Sequence, residues 1–144
     1  MAWDFFAHIR MMELLYHKMQ APVLEQYQLT QIELDVLLFL AHHPHLDTAK
    51  DIVEVRRLTK SHVSAAVERL VCREYLQRVR HPGNKKLIHL TVLPAAAPVV
   101  AAGEAQQAAF FETLRQGFSE EEATVLFEML SRIEENTRQA YLQS

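Results

Sequence analysis

The stretch TKSHVSAAVERLVCREYLQRVRHPGNKKLIHLT, residues 59–91, decides the fold. Thr59 offers an N-cap for a helix over roughly residues 60–74, whose inward face is Val63, Ala66, Val67 and Leu70 at helical spacing. Lys60, Ser61, His62, Ser64, Ala65 and Glu68 fall on the other side or at the exposed start. Two short strands follow, LQRVRH and KKLIHLT, with Leu76, Val79, Leu87, Ile88 and Leu90 as apolar positions and Pro82-Gly83-Asn84 as the turn. A helix followed by a basic hairpin is the outline of a winged helix-turn-helix.

Charge supports that outline. Residues 55–91 hold nine Lys/Arg against Glu68 and Glu74, a net +7, whereas the rest of the chain holds six against sixteen acids. Cations crowded onto one motif of an acidic protein make an electrostatic footprint for a polyanion, most simply duplex DNA.

Working outward, the preceding segment supplies the rest of a helix-turn-helix. Thr30 with Glu33 fits a capping box for a helix running to about His42, with Leu34, Leu37, Leu38 and Leu40 inward. His43-Pro44-His45 ends it. Asp47-Thr48 then caps a short helix, roughly residues 49–56, with Ile52 and Val55 inward. Short helix, short turn and second helix give the expected layout.

The flanks read as further helices. Phe6, Ile9, Met12, Leu15, Tyr16 and Met19 form a helical stripe over residues 3–20, with Pro22 expected to kink or break it. Pro94 suits a helix start, Pro98 delays the regular part, Gly103 weakens it, and Phe110, Phe111 and Leu114 follow before a stop near Gly117. Ser119 with Glu122 is a second capping box, and the last helix runs to about Tyr141.

Size and composition bound the alternatives. A chain of 144 residues is one domain by length, and 49% hydrophobic with 23% charged residues is globular rather than disordered. No apolar run reaches the ~18 residues of a membrane span, so no membrane partner is expected. MAWDFFAHIR lacks the basic start and apolar core of a secretory signal. The lone Cys72 has no internal partner, which points to a reducing, cytoplasmic setting.

The string LTQIELDVLLFLAHHPHLDTAKDIVEVRRLTKSHVSAAVERLVCREYLQRVRHPGNKKLIHLT, followed by FSEEEATVLFEMLSRIEE, resembles the multiple-antibiotic-resistance regulator (MarR) family of bacterial winged-helix repressors. The resemblance covers nearly the whole chain and rests on the ordered set of elements rather than on one motif. It implies a mostly α fold: a winged helix-turn-helix lobe over residues 29–93, with three helices and a β-hairpin wing, and dimerisation helices over residues 1–28 and 94–144. It implies a homodimeric transcriptional regulator that binds a pseudo-palindromic operator in double-stranded DNA, with a small, often aromatic, effector bound between the lobes and the dimer helices. Two departures stand out. The family wing carries an Asp-x-Arg pair before its second strand, where this chain reads His81-Pro82-Gly83-Asn84-Lys85-Lys86. Pro94 and Pro98 stand where many members have a Gly-containing helix start.

Carried onto this sequence, the recognition-helix candidates are Thr59, Lys60, Ser61, His62, Ser64 and Ala65. The wing candidates are Arg78, Arg80, Asn84, Lys85 and Lys86, and the effector-pocket candidates are Met11, Met12 and Tyr16. A Lys/Ser/His cluster is otherwise an ordinary solvated helix face, but the adjacent wing favours DNA. His42, His43 and His45 with Asp47 match no closed metal pattern and read as an exposed polar turn. His8, His17 and His89 read as surface or satisfied, partly buried residues. Cys72, near Arg69 and Arg73, reads as a half-buried structural thiol rather than a redox switch. The aromatic and Met residues near both termini, including Trp3, Phe5, Phe6, Phe110, Phe111 and Phe118, read as core or dimer interface. No phosphate loop, nucleophile elbow or metal signature points to an enzyme, a cofactor or a metal. The alternative to a DNA-binding regulator is a dimeric winged-helix module that binds protein instead; the charge split argues against it.

Overall fold

The computed structural model describes residues 3–144, and the chain divides into two compact units, residues 1–110 and 111–144. The first unit is built on α1 (Phe5–Tyr27), α2 (Gln31–His42), α3 (Ala49–Arg56), α4 (Lys60–Cys72), strands β1 (Leu76–His81) and β2 (Asn84–Val92), and α5 (Ala97–Leu114) up to Phe110. The second holds the last turn of α5 and α6 (Glu120–Gln143).

The core of the first unit gathers around α2. Leu34, Leu37, Leu38 and Leu40 are buried as expected, and so are Val36 and Phe39, so this helix is apolar all round. Ile52 of α3, Val63, Ala66, Val67 and Leu70 of α4, Leu76 and Leu90 of the hairpin and Val99 of α5 complete the cluster. Thr30 and Glu33 form the expected capping box, and Thr48 forms another with Asp51.

Several expectations need correction. Helix α1 runs through Pro22 to Tyr27. Pro22 removes the hydrogen bond to the Lys18 carbonyl, but Lys18 is exposed and water can take it. Val23 and Leu24 beyond the proline pack into the core, and Leu29 is buried after the helix turns back through the left-handed Gln28. Val55 is 50% exposed, because the inward face of α3 is Ala49, Ile52 and Val53. Thr59 stands at the N-cap of α4 but makes no capping hydrogen bond with its side chain.

Helix α4 also stops two residues early. Tyr75 N–H donates to the Leu70 carbonyl at 2.9 Å and Glu74 N–H to that of Val71 at 3.0 Å, with Glu74 at φ 60°. This is a Schellman stop built without glycine. Leu93 is followed by a 3₁₀ turn, Pro94–Ala96, so Pro98 falls in the first turn of α5, where its missing N–H costs nothing.

The second unit contains its own turn between helices. Gly117, at φ 82°, supplies the left-handed residue between α5 and α6. Ser119 and Glu122 form the expected capping box, and hydrogen bonds from the Ser119 backbone and hydroxyl hold the Glu122 carboxyl below its usual range.

Candidate nucleic-acid interface

The burial of Val63, Ala66, Val67 and Leu70 fixes the rotation of α4, leaving Lys60, Ser61, His62, Ser64, Ala65 and Glu68 on the outside. All six predicted recognition-helix residues are exposed. The positive end of the helix dipole and the uncapped Thr59 hydroxyl face outward with them, which suits a phosphate at the helix start.

The hairpin beside it is antiparallel, with Leu76 opposite Val92, Arg78 opposite Leu90 and Arg80 opposite Ile88. Pairing then jumps to His81 opposite Asn84, so Lys85, Lys86 and Leu87 form a bulge and the turn is Pro82-Gly83 alone. A bulge re-aims its side chains and breaks the flat edge. The Lys86 N–H is taken by Asn84 Oδ1 at 3.0 Å, and the Gly83 N–H by His81 Nδ1 at 3.1 Å. Thus Asn84 shapes the wing tip with its side chain while Lys85 and Lys86 stay exposed.

The wing root is pinned to the lobe. Leu90 N–H donates to the Asp47 carbonyl at 2.7 Å, and His89 Nδ1 lies 2.7 Å from Asp47 Oδ1. Asp47, read in the sequence as a helix-start residue and part of an exposed polar turn, is therefore a wing anchor. His81 lies near His89, ring centroids 5.5 Å apart.

Not every cation of the basic stretch faces outward. Arg69 Nε reaches the buried Glu33 carboxylate at 3.3 Å. Arg73 donates to the carbonyls of Tyr27 at 2.6 Å and Gln28 at 2.7 Å, capping the C-terminus of α1, and stacks over the Tyr75 ring at 4.9 Å. Arg78 pairs with Glu68 at 2.7 Å. On α4 and the hairpin the outward charge is carried by Lys60, Arg80, Lys85 and Lys86, all exposed. Alternation of side chains was the one signal that could have flagged Arg78: it shares a strand face with buried Leu76.

Cys72 is exposed, a correction to the expected half-buried thiol, because it falls on the same side of α4 as Ala65 and Glu68. Its nearest polar partner is Glu68 Oε1 at 3.9 Å, and Arg69 and Arg73 are engaged elsewhere. His43 stacks on Phe39 with centroids 4.3 Å apart and bonds its carbonyl at 2.9 Å, while His42 approaches Glu104 at 3.4 Å.

The three effector-pocket candidates separate. Met11 and Met12 lie exposed on α1. Tyr16 is half-buried, edge-on to Phe110, and its hydroxyl accepts from Gln107 at 3.0 Å and from the fully buried Gln20 at 2.9 Å. None of the three lines the groove of about 390 Å³ formed by Ala41, Val92, Leu93, Pro94, Ala97, Val100, Ala101 and Glu104. Among the described residues, no helix is long and apolar enough to cross a membrane.

Comparison with known proteins places this geometry. A family model described as MarR family matches residues 27–87. No curated protein matches the chain. Solved structures do. A MarR family transcriptional regulator from Listeria monocytogenes complexed with 26mer DNA superposes with a TM-score of 0.86 at 15% identity, over 98% of this chain and 93% of that one. The transcriptional regulator SlyA gives 0.82 at 18% identity, over 96% of each chain. A MepR–DNA complex from S. aureus gives 0.78 at 19% identity, over 94% and 99%. Residues 27–87 thus match the model of the MarR family, and the chain as a whole has the winged-helix fold of solved MarR-family transcriptional regulators.

Proposed function

We propose that this chain is a cytoplasmic, homodimeric transcriptional regulator that binds a pseudo-palindromic operator in double-stranded DNA, acting as a repressor released by a small, aromatic effector, and not an enzyme. The observation that carries the reading is the exposed, cationic start of α4, beside a wing whose root is pinned to the same lobe through Asp47. In this reading Thr59, Lys60, Ser61, His62, Ser64 and Ala65 enter the major groove, where short Ser and Ala side chains allow close approach. Arg80, Lys85 and Lys86 meet the phosphates, and Asn84 holds the wing tip in shape. Arg78 acts through Glu68.

Dimerisation is supported by apolar surface that neither unit covers by itself. Phe6 is 79% exposed and Met11 66% on α1, and Met129, Leu130 and Ile133 are about half exposed on α6. Faces of this kind mark interfaces. Effector control rests on the aromatic and Met-rich sequence of α1, and is tested by whether small aromatic ligands shift DNA affinity, which requires unequal affinity for the two states. The reading as a whole is tested by electrophoretic mobility shift on promoter fragments flanking the gene. Tight, salt-sensitive binding to one fragment over random duplex supports it; equal or no binding to all fragments favours a protein-binding module instead.

A further inference from the structure

Glu68 is the only acid on α4. It stands three and four residues past Ala65 and Ser64 and seven past Ser61, so it shares their outward stripe. Its neighbours there, Ser61, Ser64, Ala65 and Cys72, are all short, so Glu68 projects furthest from the middle of the helix. A carboxylate pushed between two phosphate backbones is repelled unless it gains a hydrogen bond there.

Its geometry provides for such a bond. Arg78 Nη2 of β1 donates to Glu68 Oε2 at 2.7 Å, which fixes the side chain and partly offsets its charge, while Glu68 itself stays 62% exposed. The other oxygen, Oε1, accepts only from the Cys72 thiol, at 3.9 Å, among the described residues. One oxygen is anchored and the other is held only by this long, weak contact on an exposed side chain. Of the base edges in the major groove, guanine presents acceptors and thymine an acceptor and a methyl, both hostile to a carboxylate. Adenine sets its amino group beside the N7 acceptor. Cytosine offers its N4 amino group as a donor without an adjacent acceptor of its own.

Resting on the reading of α4 as a recognition helix, we propose that Glu68 is a specificity-determining residue that accepts a hydrogen bond from a cytosine N4 amino group in each half-site, with Arg78 as its positioning residue. The pair is exposed on both sides, so its loss leaves the fold intact. The test is selection of duplexes from a randomised pool by the wild type, Glu68→Ala, Glu68→Gln and Arg78→Ala, with sequencing of the bound fraction and a melting curve for each variant. The wild type should enrich cytosine at one position per half-site. Glu68→Ala should lose roughly 5- to 150-fold of that discrimination, the range of one good base contact. Glu68→Gln should move the preference toward adenine, because an amide both accepts from N6 and donates to N7. Arg78→Ala should blur the cytosine preference with a smaller loss. If Glu68→Ala keeps the wild-type preference, or tightens binding to every duplex equally, Glu68 only pins the wing and the proposal is wrong. A wild type that binds no duplex, or all duplexes alike, overturns the DNA reading and this proposal with it.

Discussion

Among the described residues, Gln28, Arg57 and Glu74 hold left-handed backbone without being glycine. At Glu74 that conformation lets α4 end and turns Tyr75 back into the lobe. Glu74→Gly should therefore raise stability by about 1 kcal/mol, the order of the left-handed penalty for a residue with a Cβ; urea denaturation checks it, and a loss of stability contradicts it. A glutamate carries no mark of such a turn, which is why the sequence places the helix end two residues late. Asp35 is a second strained position. Burial holds its carboxyl above the usual range, against a 3.0 Å bond from Gln31 and the attraction of Arg56 and His17. A raised folded pKa means that the stabilising contribution is present below the unfolded value, about 3.9, and is lost as pH rises through the folded one. Asp35→Asn should then be more stable than the wild type at pH 7, with the advantage fading toward acid. Equal melting temperatures at pH 7 would contradict this. Individual partners such as Arg69 with Glu33 and Arg73 with the end of α1 were not legible either, since residues 36 and about 45 positions apart meet only through the tertiary fold.

At the scale of elements, legibility followed local chemistry. The Thr30–Glu33 and Ser119–Glu122 capping boxes fixed two helix starts, because both partners lie three residues apart and satisfy each other's backbone donors. The inward face of α4 was legible from its spacing, whereas on α3 only Ile52 was read correctly and Val55 was not, because eight residues give too few turns for a stripe to declare itself. Gly103 looked like a weak point in α5. In the fold it is buried, and a Cβ there would lie 3.0 Å from Leu38 Cδ2 and 3.1 Å from Leu34 Cδ1, both on fully buried side chains. It is the position at which α5 closes on α2. Gly103→Val should destabilise by about 1–3 kcal/mol through overpacking, despite the gain in helix propensity. Chemical denaturation measures it, and a neutral or stabilising result would show that α2 and α5 can separate at that point.

For the whole molecule, helix order and the wing were readable because each element has its own period and punctuation. The wing tip was readable in composition but not in register: the bulge at Lys85–Leu87 follows from pairing, which no local pattern announces. The uncovered apolar residues of α1 and α6 predict a stable dimer, of twice the 16.6 kDa chain mass. Sedimentation equilibrium at low micromolar concentration should return that mass, and a compact monomer would refute it. In such a dimer the two α4 helices would meet successive major grooves about 34 Å apart. The central claim is that α4 reads bases while the wing neutralises phosphates. Its most direct test is a fluorescence-anisotropy titration of the wild type and the Lys85→Ala/Lys86→Ala double variant on operator and random duplex across salt concentrations. Two lost phosphate contacts should weaken both duplexes alike and lower the slope of log affinity against log salt by about two; a double variant with the wild-type slope would contradict the account.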